Sequence, residues 1–331
     1  MLKNRFFLIV LFILGITVGL FLHKINIFRA KPTEFIKVER LYPPNGHLVN
    51  PLIGFENPEG GGIELDDIKY LIGEYIKKCR ESGSASSISV YLRNLLDGSW
   101  IGIDEDEHYA AASLFKVPLM LTYLKMAEKD PAILNKEIKY ETKIDLPHQN
   151  IAPTSQLQLG NTYTIDELLR DMIVHSDNMS SQLLLENIDF KIVADIYSAL
   201  QLSTPDLTEP EHQISAKDYA TFFRVLYNST FLSQDLSEKA IKWLTEAEFR
   251  DGVVAGVPDK IVIAHKFAER RYAGVIDLSQ SVQLHDCGIV YYPKNPYVLC
   301  VMTRGRDLNT LKGIIKEVSR IVYEQKERRI L

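Results

Sequence analysis

The stretch that organises this chain is Ala112-Ser113-Leu114-Phe115-Lys116-Val117-Pro118, in which a lysine follows a serine by three residues. An apolar run with helical spacing continues from it and predicts a helix over Leu114–Ala127. Residues i and i+3 lie on one face of a helix, so we expect the Lys116 amine to reach the Ser113 hydroxyl. A serine is a good nucleophile only when a base takes its proton, and a lysine can be that base only when burial keeps it neutral. This spacing also arises by chance, so its meaning depends on the rest of the chain.

Two further motifs follow in order. Ser176-Asp177-Asn178 breaks a helical pattern, and His265-Lys266-Phe267 ends a strand-like run. The first has an ordinary interpretation as a helix cap, and a lysine that closes a strand is often only solvated. The alternative gives Ser176 the role of passing a proton to a leaving nitrogen, with the Lys266 cation beside it. Three such motifs in this order are much rarer than any one of them.

With these motifs, residues 63–331 resemble the class A β-lactamases, a family of penicillin-recognising serine enzymes. The resemblance implies an α+β fold with a five-stranded antiparallel sheet, flanking helices and a helical subdomain. It implies that Ser113 accepts the acyl group, that Lys116 is its base, and that Ser176 protonates the leaving nitrogen. It further implies that Asn178 orients the substrate and that Lys266 assists electrostatically. The oxyanion hole would be formed by the backbone N–H groups of Ser113 and Glu269.

The sequence also departs from that family. Lys266-Phe267-Ala268 stands where Lys-Thr-Gly or Lys-Ser-Gly is usual, so the hydroxyl that binds a β-lactam carboxylate is missing. Cys287 occupies the position of a carboxylate-binding arginine, for which Arg304 or Arg306 could compensate. The string Glu209-Pro210-Glu211 resembles the loop whose glutamate activates the deacylating water, and such a loop would hold the Glu209–Pro210 bond cis. The loop is short, however, because a helix is predicted from Ser215.

The coarse pattern along the chain agrees with an α+β layout in one domain. A helix is predicted over 66–81 and strands over 87–94 and 100–103, before the Ser113 motif. Helices are predicted over 165–174, 179–187, 191–200, 215–227 and 236–247. Strands follow over 260–267, 284–292 and 297–303, and a helix over 308–325 closes the chain. Strands from both ends would therefore bracket a helical block.

The amino terminus carries an export or membrane signal. After the short tail of residues 1–5, Phe6–Leu22 is an unbroken apolar run, which predicts a membrane anchor or else a signal peptide. Residues 23–62 form a linker rich in proline and glycine, and the globular domain is expected over 63–331. We therefore expect a cell-envelope protein, attached to the membrane through residues 6–22, with an extracytoplasmic catalytic domain.

Composition excludes other classes of function. The 331 residues carry a formal net charge of −5 and no basic stripe, which argues against nucleic-acid binding. The three cysteines, Cys79, Cys287 and Cys300, are too few and too scattered for a disulfide framework or a metal site; their apolar neighbours favour ordinary core cysteines, with one pair as the alternative. No metal or organic cofactor is implied, and we expect a monomer.

The leading hypothesis is a serine hydrolase that attacks a β-lactam or related amide through an acyl-Ser113 intermediate. A second hypothesis is a penicillin-binding-type D-Ala-D-Ala peptidase or transpeptidase that acts on cell-wall peptides. A third is a membrane-tethered wall-binding or scaffold protein with little turnover, which the Phe267 and short-loop departures favour.

Overall fold

The structure is a computed structural model that describes residues 48–50, 63–144, 146, 149–205, 211–272, 274 and 276–328. These residues belong to one compact unit within residues 40–331. The apolar run of residues 6–22 lies outside the described residues, and so do the tail and most of the linker. No helix in the described part of the chain is long and apolar enough to cross a membrane. The predicted domain boundaries and the predicted anchor therefore stay predictions.

The described residues form eight α-helices and nine strands. The helices are α1 (Ile63–Glu81), α2 (Lys116–Ala127), α3 (Ile165–Val174), α4 (Asn178–Glu186), α5 (Phe190–Ala199), α6 (Ala216–Tyr227), α7 (Gln234–Thr245) and α8 (Leu308–Arg328). The strands are β1 (Ser87–Asn94), β2 (Trp100–Ile103), β3 (His108–Ala110), β4 (Glu137–Lys139), β5 (Thr162–Thr164), β6 (Gln213–Ser215), β7 (Ile263–Arg271), β8 (Val282–Val290) and β9 (Tyr297–Gly305).

Five strands make one antiparallel sheet in the order β2-β1-β9-β8-β7, which joins the two ends of the chain. Successive side chains of a strand point to opposite faces of the sheet, so each strand contributes side chains to two cores, one on each face. Val301 packs in the core that includes α1 and α8, whereas its neighbours Cys300 and Met302 pack in the core that includes the helical block. The predicted α+β class and the five-stranded sheet are confirmed.

Two boundaries near the motifs differ from the sequence prediction. The Ser113 stretch does not begin an α-helix: Ala112–Phe115 forms a 3₁₀ turn, entered through Ala112 at φ 42°, and α2 begins only at Lys116. Pro118 is the third residue of α2, where the N–H that proline lacks would have no intrahelical partner. Strand β7 continues four residues beyond Phe267, because Ala268–Arg271 pair with Val282–His285 of β8.

Candidate active site

Ser113 lies in a turn that its neighbours hold firmly. Leu114 is fully buried, and the Tyr219 hydroxyl donates a hydrogen bond to its carbonyl over 3.1 Å. The Leu114 N–H donates to the Ala111 carbonyl over 2.8 Å and closes the turn. Ser113 is half-buried, and the edge strand β7 runs past the turn. The hydroxyl is thus presented at the junction of the sheet and the helical block.

Ser176 lies at the sharp break between α3 and α4. Its backbone is left-handed, at φ 56°, and the Asp177 carboxylate, not the serine, caps α4 by accepting from the Ser180 N–H over 2.6 Å. The Ser176 hydroxyl therefore does not cap the helix. It is buried and accepts a hydrogen bond from Lys266 Nζ over 2.8 Å.

Lys116 lies beneath the same cleft, with 3% of its surface exposed. Its Nζ donates to the Ser176 carbonyl over 2.6 Å and to Asn178 Oδ1 over 2.8 Å, with a longer contact of 3.4 Å to the Ser176 hydroxyl. Burial lowers the pKa of Lys116 to about 7, and the nearby Asp177 carboxylate opposes this shift. A neutral amine has two N–H donors, which the two short bonds use, and one lone pair that can accept a proton.

Lys266 is buried as completely as Lys116 and reaches Ser176 from the other side. Besides the Ser176 hydroxyl, it donates to the Phe267 carbonyl over 3.1 Å, and its Nζ lies 4.5 Å from the centre of the Phe267 ring. Burial lowers the pKa of Lys266 well below its usual value, and the charge of Lys116 lowers it further. Two lysines thus meet at one buried hydroxyl.

The register of β7 decides where its backbone groups point. Just beyond one end of β7, the Tyr272 backbone N–H donates to the Ser281 carbonyl, and just before its other end the Val262 carbonyl accepts from the Tyr291 N–H. Both flanking residues, Val262 and Tyr272, are even-numbered. The even-numbered residues of β7 therefore form the backbone hydrogen bonds to β8. The odd-numbered residues direct their N–H and C=O groups to the other side. Because β7 is an edge strand, the Glu269 N–H faces the open edge beside the Ser113 turn. This direction suits the predicted oxyanion role.

The predicted residues surround one cleft of about 520 Å³. Ser113, Lys116, Asn178 and Glu269 line it directly, and hydrogen bonds join Ser176 and Lys266 to this set. No group of three or more His, Cys, Asp or Glu side chains suited to a metal ion occurs within the described residues. All six predicted site residues therefore meet in one place, although their catalytic roles stay predictions.

The arrangement agrees with the comparisons with known proteins. Residues 72–325 match the model of the Beta-lactamase enzyme family. The chain belongs to this family. A β-lactamase of Proteus vulgaris is 24% identical over 263 residues, which cover 74% of this chain and 92% of that protein. β-Lactamase L2 of Stenotrophomonas maltophilia is 32% identical over 104 residues, which cover 31% of this chain and 33% of that protein.

Solved structures show the same fold. An acyl-enzyme complex of a PBP-A mutant with penicillin G superposes with a TM-score of 0.66 at 20% identity, covering 80% of this chain and 97% of that one. The β-lactamase from Burkholderia phymatum gives a TM-score of 0.65 at 19% identity, covering 78% and 99%. The resemblance to class A β-lactamases is thus confirmed at the level of family and fold.

Several residues differ from the usual residues of this family or were expected to compensate for them, and the structure shows what each one contacts. The Phe267 ring is buried and stacks on Phe249 at 4.2 Å, so nothing polar replaces the missing hydroxyl at this position. Cys287 is the cross-strand partner of Lys266 and forms a disulfide with Cys300 on β9. Arg304 is not a cleft-lining residue but contacts Glu107 over 3.2 Å, and so does not compensate at the cleft. Arg306 is likewise not among the cleft-lining residues.

Glu209 and Pro210 lie outside the described residues, so the water-activating role and the geometry of their peptide bond stay predictions. The next residue, Glu211, contacts Arg270 Nε over 2.7 Å and accepts a hydrogen bond from the Tyr272 hydroxyl over 2.5 Å. The described end of this loop is therefore fastened to the end of β7.

Sequence reasoning missed several residues of the cleft. Arg270 and Arg271 line it because β7 extends beyond Phe267, whereas the sequence prediction ended this strand at Phe267. Gln149 also lines it, and its side-chain amide donates to the Ser176 carbonyl over 3.1 Å. The polar, irregular sequence around Gln149 carries no periodic signal for such a contact.

Proposed function

We propose that this protein is a serine acyl-hydrolase that attacks a β-lactam or related amide carbonyl through an acyl-Ser113 intermediate. The observation that carries the proposal is the hydrogen-bonded group of Lys116, Ser176 and Lys266 beneath the Ser113 turn. Membership of the Beta-lactamase enzyme family supports the same chemistry.

In the proposed acylation, neutral Lys116 accepts the Ser113 proton on its lone pair while Ser113 Oγ attacks the carbonyl carbon. The backbone N–H groups of Ser113 and Glu269 stabilise the oxyanion. The C–N bond then breaks, and the leaving nitrogen takes a proton from the Ser176 hydroxyl. Lys116 restores that proton through its contact with Ser176, so the site regains its starting charge. A β-lactam forms an adduct of its own full mass, because the ring opens without losing a fragment.

Deacylation separates this proposal from the second candidate, a penicillin-binding-type peptidase or transpeptidase. Glu269 is the one carboxylate among the described residues that line the cleft, and Glu211 is turned toward Arg270 and Tyr272. Release of the acyl group would depend on Glu209, the predicted water-activating residue, which lies outside the described residues. A PBP-A mutant of similar fold forms an acyl-enzyme with penicillin G, which supports the acylation step of the proposal.

We further propose a cell-envelope location, with residues 6–22 as anchor and the catalytic domain outside the cytoplasm. The Cys287–Cys300 disulfide supports this location, since such bonds persist mainly in oxidising compartments. The experiment is fractionation of cells, followed by protease treatment of intact spheroplasts. A domain that stays protected from protease, or a soluble cytoplasmic protein, would contradict the proposal.

The test of function is to incubate the full-length chain with a fluorescent penicillin and to follow the intact mass over time. A transient adduct with released product supports a β-lactamase, and a long-lived adduct supports the peptidase. An S113A variant serves as control and is expected to form no adduct. No adduct and no released product on the wild-type protein, together with an S113A variant indistinguishable from wild type on cell-wall peptides, would leave the third hypothesis, a scaffold with little turnover.

A further inference from the structure

A short segment, residues 149–151, joins the two walls of the cleft. On one wall, the Gln149 side-chain amide donates to the Ser176 carbonyl at the α3–α4 junction over 3.1 Å. On the other wall, the Ile151 N–H donates to Glu269 Oε1 on β7 over 2.7 Å. The Cα atoms of residues 149 and 151 are at most about 7 Å apart, even in a fully extended chain. The segment therefore bridges the cleft at this end, and we call residues 149–151 the strap.

The strap passes around the open edge of β7. Gln149 and Asn150 line the cleft, whereas Ile151 packs against the hydrophobic core that includes α1 and α8, on the other face of the sheet. Glu269 follows Phe267 by two residues, and Phe267 packs in this core, so both side chains leave β7 on the same face. The strap thus crosses the edge of β7 at Glu269, the residue whose N–H is predicted to bind the oxyanion.

The hydrogen bond to Glu269 fastens the strap more strongly than the one to Ser176. A carboxylate acceptor makes a hydrogen bond roughly twice as strong as a neutral acceptor does. The other carboxylate oxygen of Glu269, Oε2, is closed off from solvent, and a low local dielectric strengthens a hydrogen bond. The Ser176 carbonyl also accepts from Lys116 Nζ over 2.6 Å and so does not depend on Gln149. Loss of the Glu269 acceptor should therefore release the strap more than loss of the Gln149 donor.

The strap limits the room beside Ser113. A carbonyl that reaches the predicted oxyanion position must fit between the Ser113 turn and the strap, because Ser113, Gln149, Asn150 and Glu269 all line the same cleft. The volume of this cleft, about 520 Å³, lies in the lower half of the range of about 300–1,000 Å³ that is usual for ligand pockets. Larger substituents next to the attacked carbonyl fit only when the strap opens.

We propose that the strap sets the size of the substituents that a substrate can carry beside the attacked carbonyl, and that its hydrogen bonds to Ser176 and Glu269 hold this limit in place. The inference rests on the proposed acylation of Ser113 and adds what determines the size of the substrate. A strap that only supported the fold would affect large and small substrates alike.

The experiment compares β-lactams of different size. The small probe is a penicillin with an acetyl side chain. One large probe is a fluorescent penicillin with a dye on its side chain, and the other is a cephalosporin with a dinitrostyryl group on its ring. The two large probes carry their bulk on opposite sides of the attacked carbonyl, so the test does not depend on how a substrate is oriented. The second-order rate constant of acylation of the full-length chain is measured for each probe by intact mass, and each large probe gives a large-to-small ratio.

The variants act on the two hydrogen bonds. E269A removes the acceptor of the Ile151 N–H and should raise the large-to-small ratio of at least one large probe by about tenfold or more, as for the loss of a hydrogen bond to a charged group. Q149A should raise it less. E269Q keeps an acceptor oxygen, and its ratio should lie closer to wild type than to E269A. K143A, which replaces an exposed lysine in the same connection between β4 and β5, is the matched control and should keep the wild-type ratio.

Hydrogen exchange reports on the strap without a substrate. The Ile151 amide, followed by mass spectrometry of the peptide that contains it, should exchange at least about tenfold faster in E269A than in wild type. Equal exchange in the two proteins would mean that Glu269 does not fasten the strap, and would overturn the inference.

Two other results would overturn the inference and leave acylation intact. One is faster exchange in E269A with unchanged large-to-small ratios for both large probes. The other is a change of all three rate constants by one common factor. No adduct with any probe, in wild type or in E269A, would refute the proposed acylation itself, and this inference with it.

Discussion

Replacing Lys116 with methionine should stabilise the fold below pH 7 and abolish acylation. The wild-type amine is buried, and burial lowers its pKa from 10.5 to about 7. The unfolded chain therefore binds a proton at this position over a pH range in which the folded chain does not. Stability rises with pH wherever the unfolded state binds more protons, so Lys116 costs most stability below pH 7 and none above about pH 10.5. Methionine has a similar length and no charge to desolvate.

The magnitude follows from the two pKa values. The ionisation of Lys116 costs about 5 kcal/mol of stability at pH 6 and about 2 kcal/mol at pH 9. Methionine leaves Asn178 Oδ1 without its donor, which costs about 1–3 kcal/mol at either pH, whereas the Ser176 carbonyl keeps the donor of the Gln149 amide. This loss lowers the stability that K116M gains over wild type by the same amount at both pH values. The difference between the gain at pH 6 and the gain at pH 9 is therefore unchanged. The gain of K116M over wild type should shrink by about 3 kcal/mol from pH 6 to pH 9. Lys266 acts in the same direction, because removal of the Lys116 charge raises its pKa.

The assay is chemical denaturation of wild type and K116M at pH 6 and pH 9, with the free energies of unfolding extrapolated to water. K129M, which removes an exposed lysine just beyond α2, is the matched control and should differ from wild type by a constant amount. A gain for K116M that stays equal at both pH values would mean that Lys116 is charged in the folded protein. Its assignment as a neutral base would then be wrong.

Three further outcomes follow from the site. The wild-type acylation rate, followed by intact mass with a penicillin, should rise about tenfold per pH unit below pH 7 and then level off, as neutral Lys116 accumulates. S176A should lower the acylation rate by about 10²–10⁴-fold, because the leaving nitrogen loses its proton donor; an unchanged rate would exclude that role. Alkylation of the denatured, unreduced chain should label Cys79 alone, whereas prior reduction should expose Cys287 and Cys300 as well. Three labels without reduction would contradict the disulfide.

Local patterns in the sequence were sufficient for most elements. The alternation in β1 predicted that strand with its observed ends, and helical spacing predicted α3 over its observed range, Ile165–Val174. Such signals lie within a few residues of the structure they specify, so neighbours elsewhere in the fold do not override them. The order of the three motifs supplied the rest, since it identified the family and thereby the sheet.

Contacts between distant segments could not be predicted in this way. The sequence suggested that Lys116 would bond to Ser113, but its short hydrogen bonds go to Ser176 and Asn178, about sixty residues away along the chain. The Gln149 contact has the same character. Each depends on how α2, α4 and an irregular loop meet, and no local period encodes that meeting. The pairing of Glu269 with Ile151 was missed for the same reason.

One departure from the β-lactamase pattern, Lys266-Phe267-Ala268, lies on β7, and the geometry of that strand accounts for it. The N–H that β7 offers to an oxyanion comes from its backbone, and its direction is set by pairing with β8 and not by side chains. The side chains of β7 can therefore change without loss of that donor. Phe267 uses this freedom to pack against Phe249 in the core that includes α1 and α8. The proposed acylation depends instead on the side chains of Ser113, Lys116 and Ser176. This separation predicts that side chains of β7 can change substrate preference while the proposed acylation is retained.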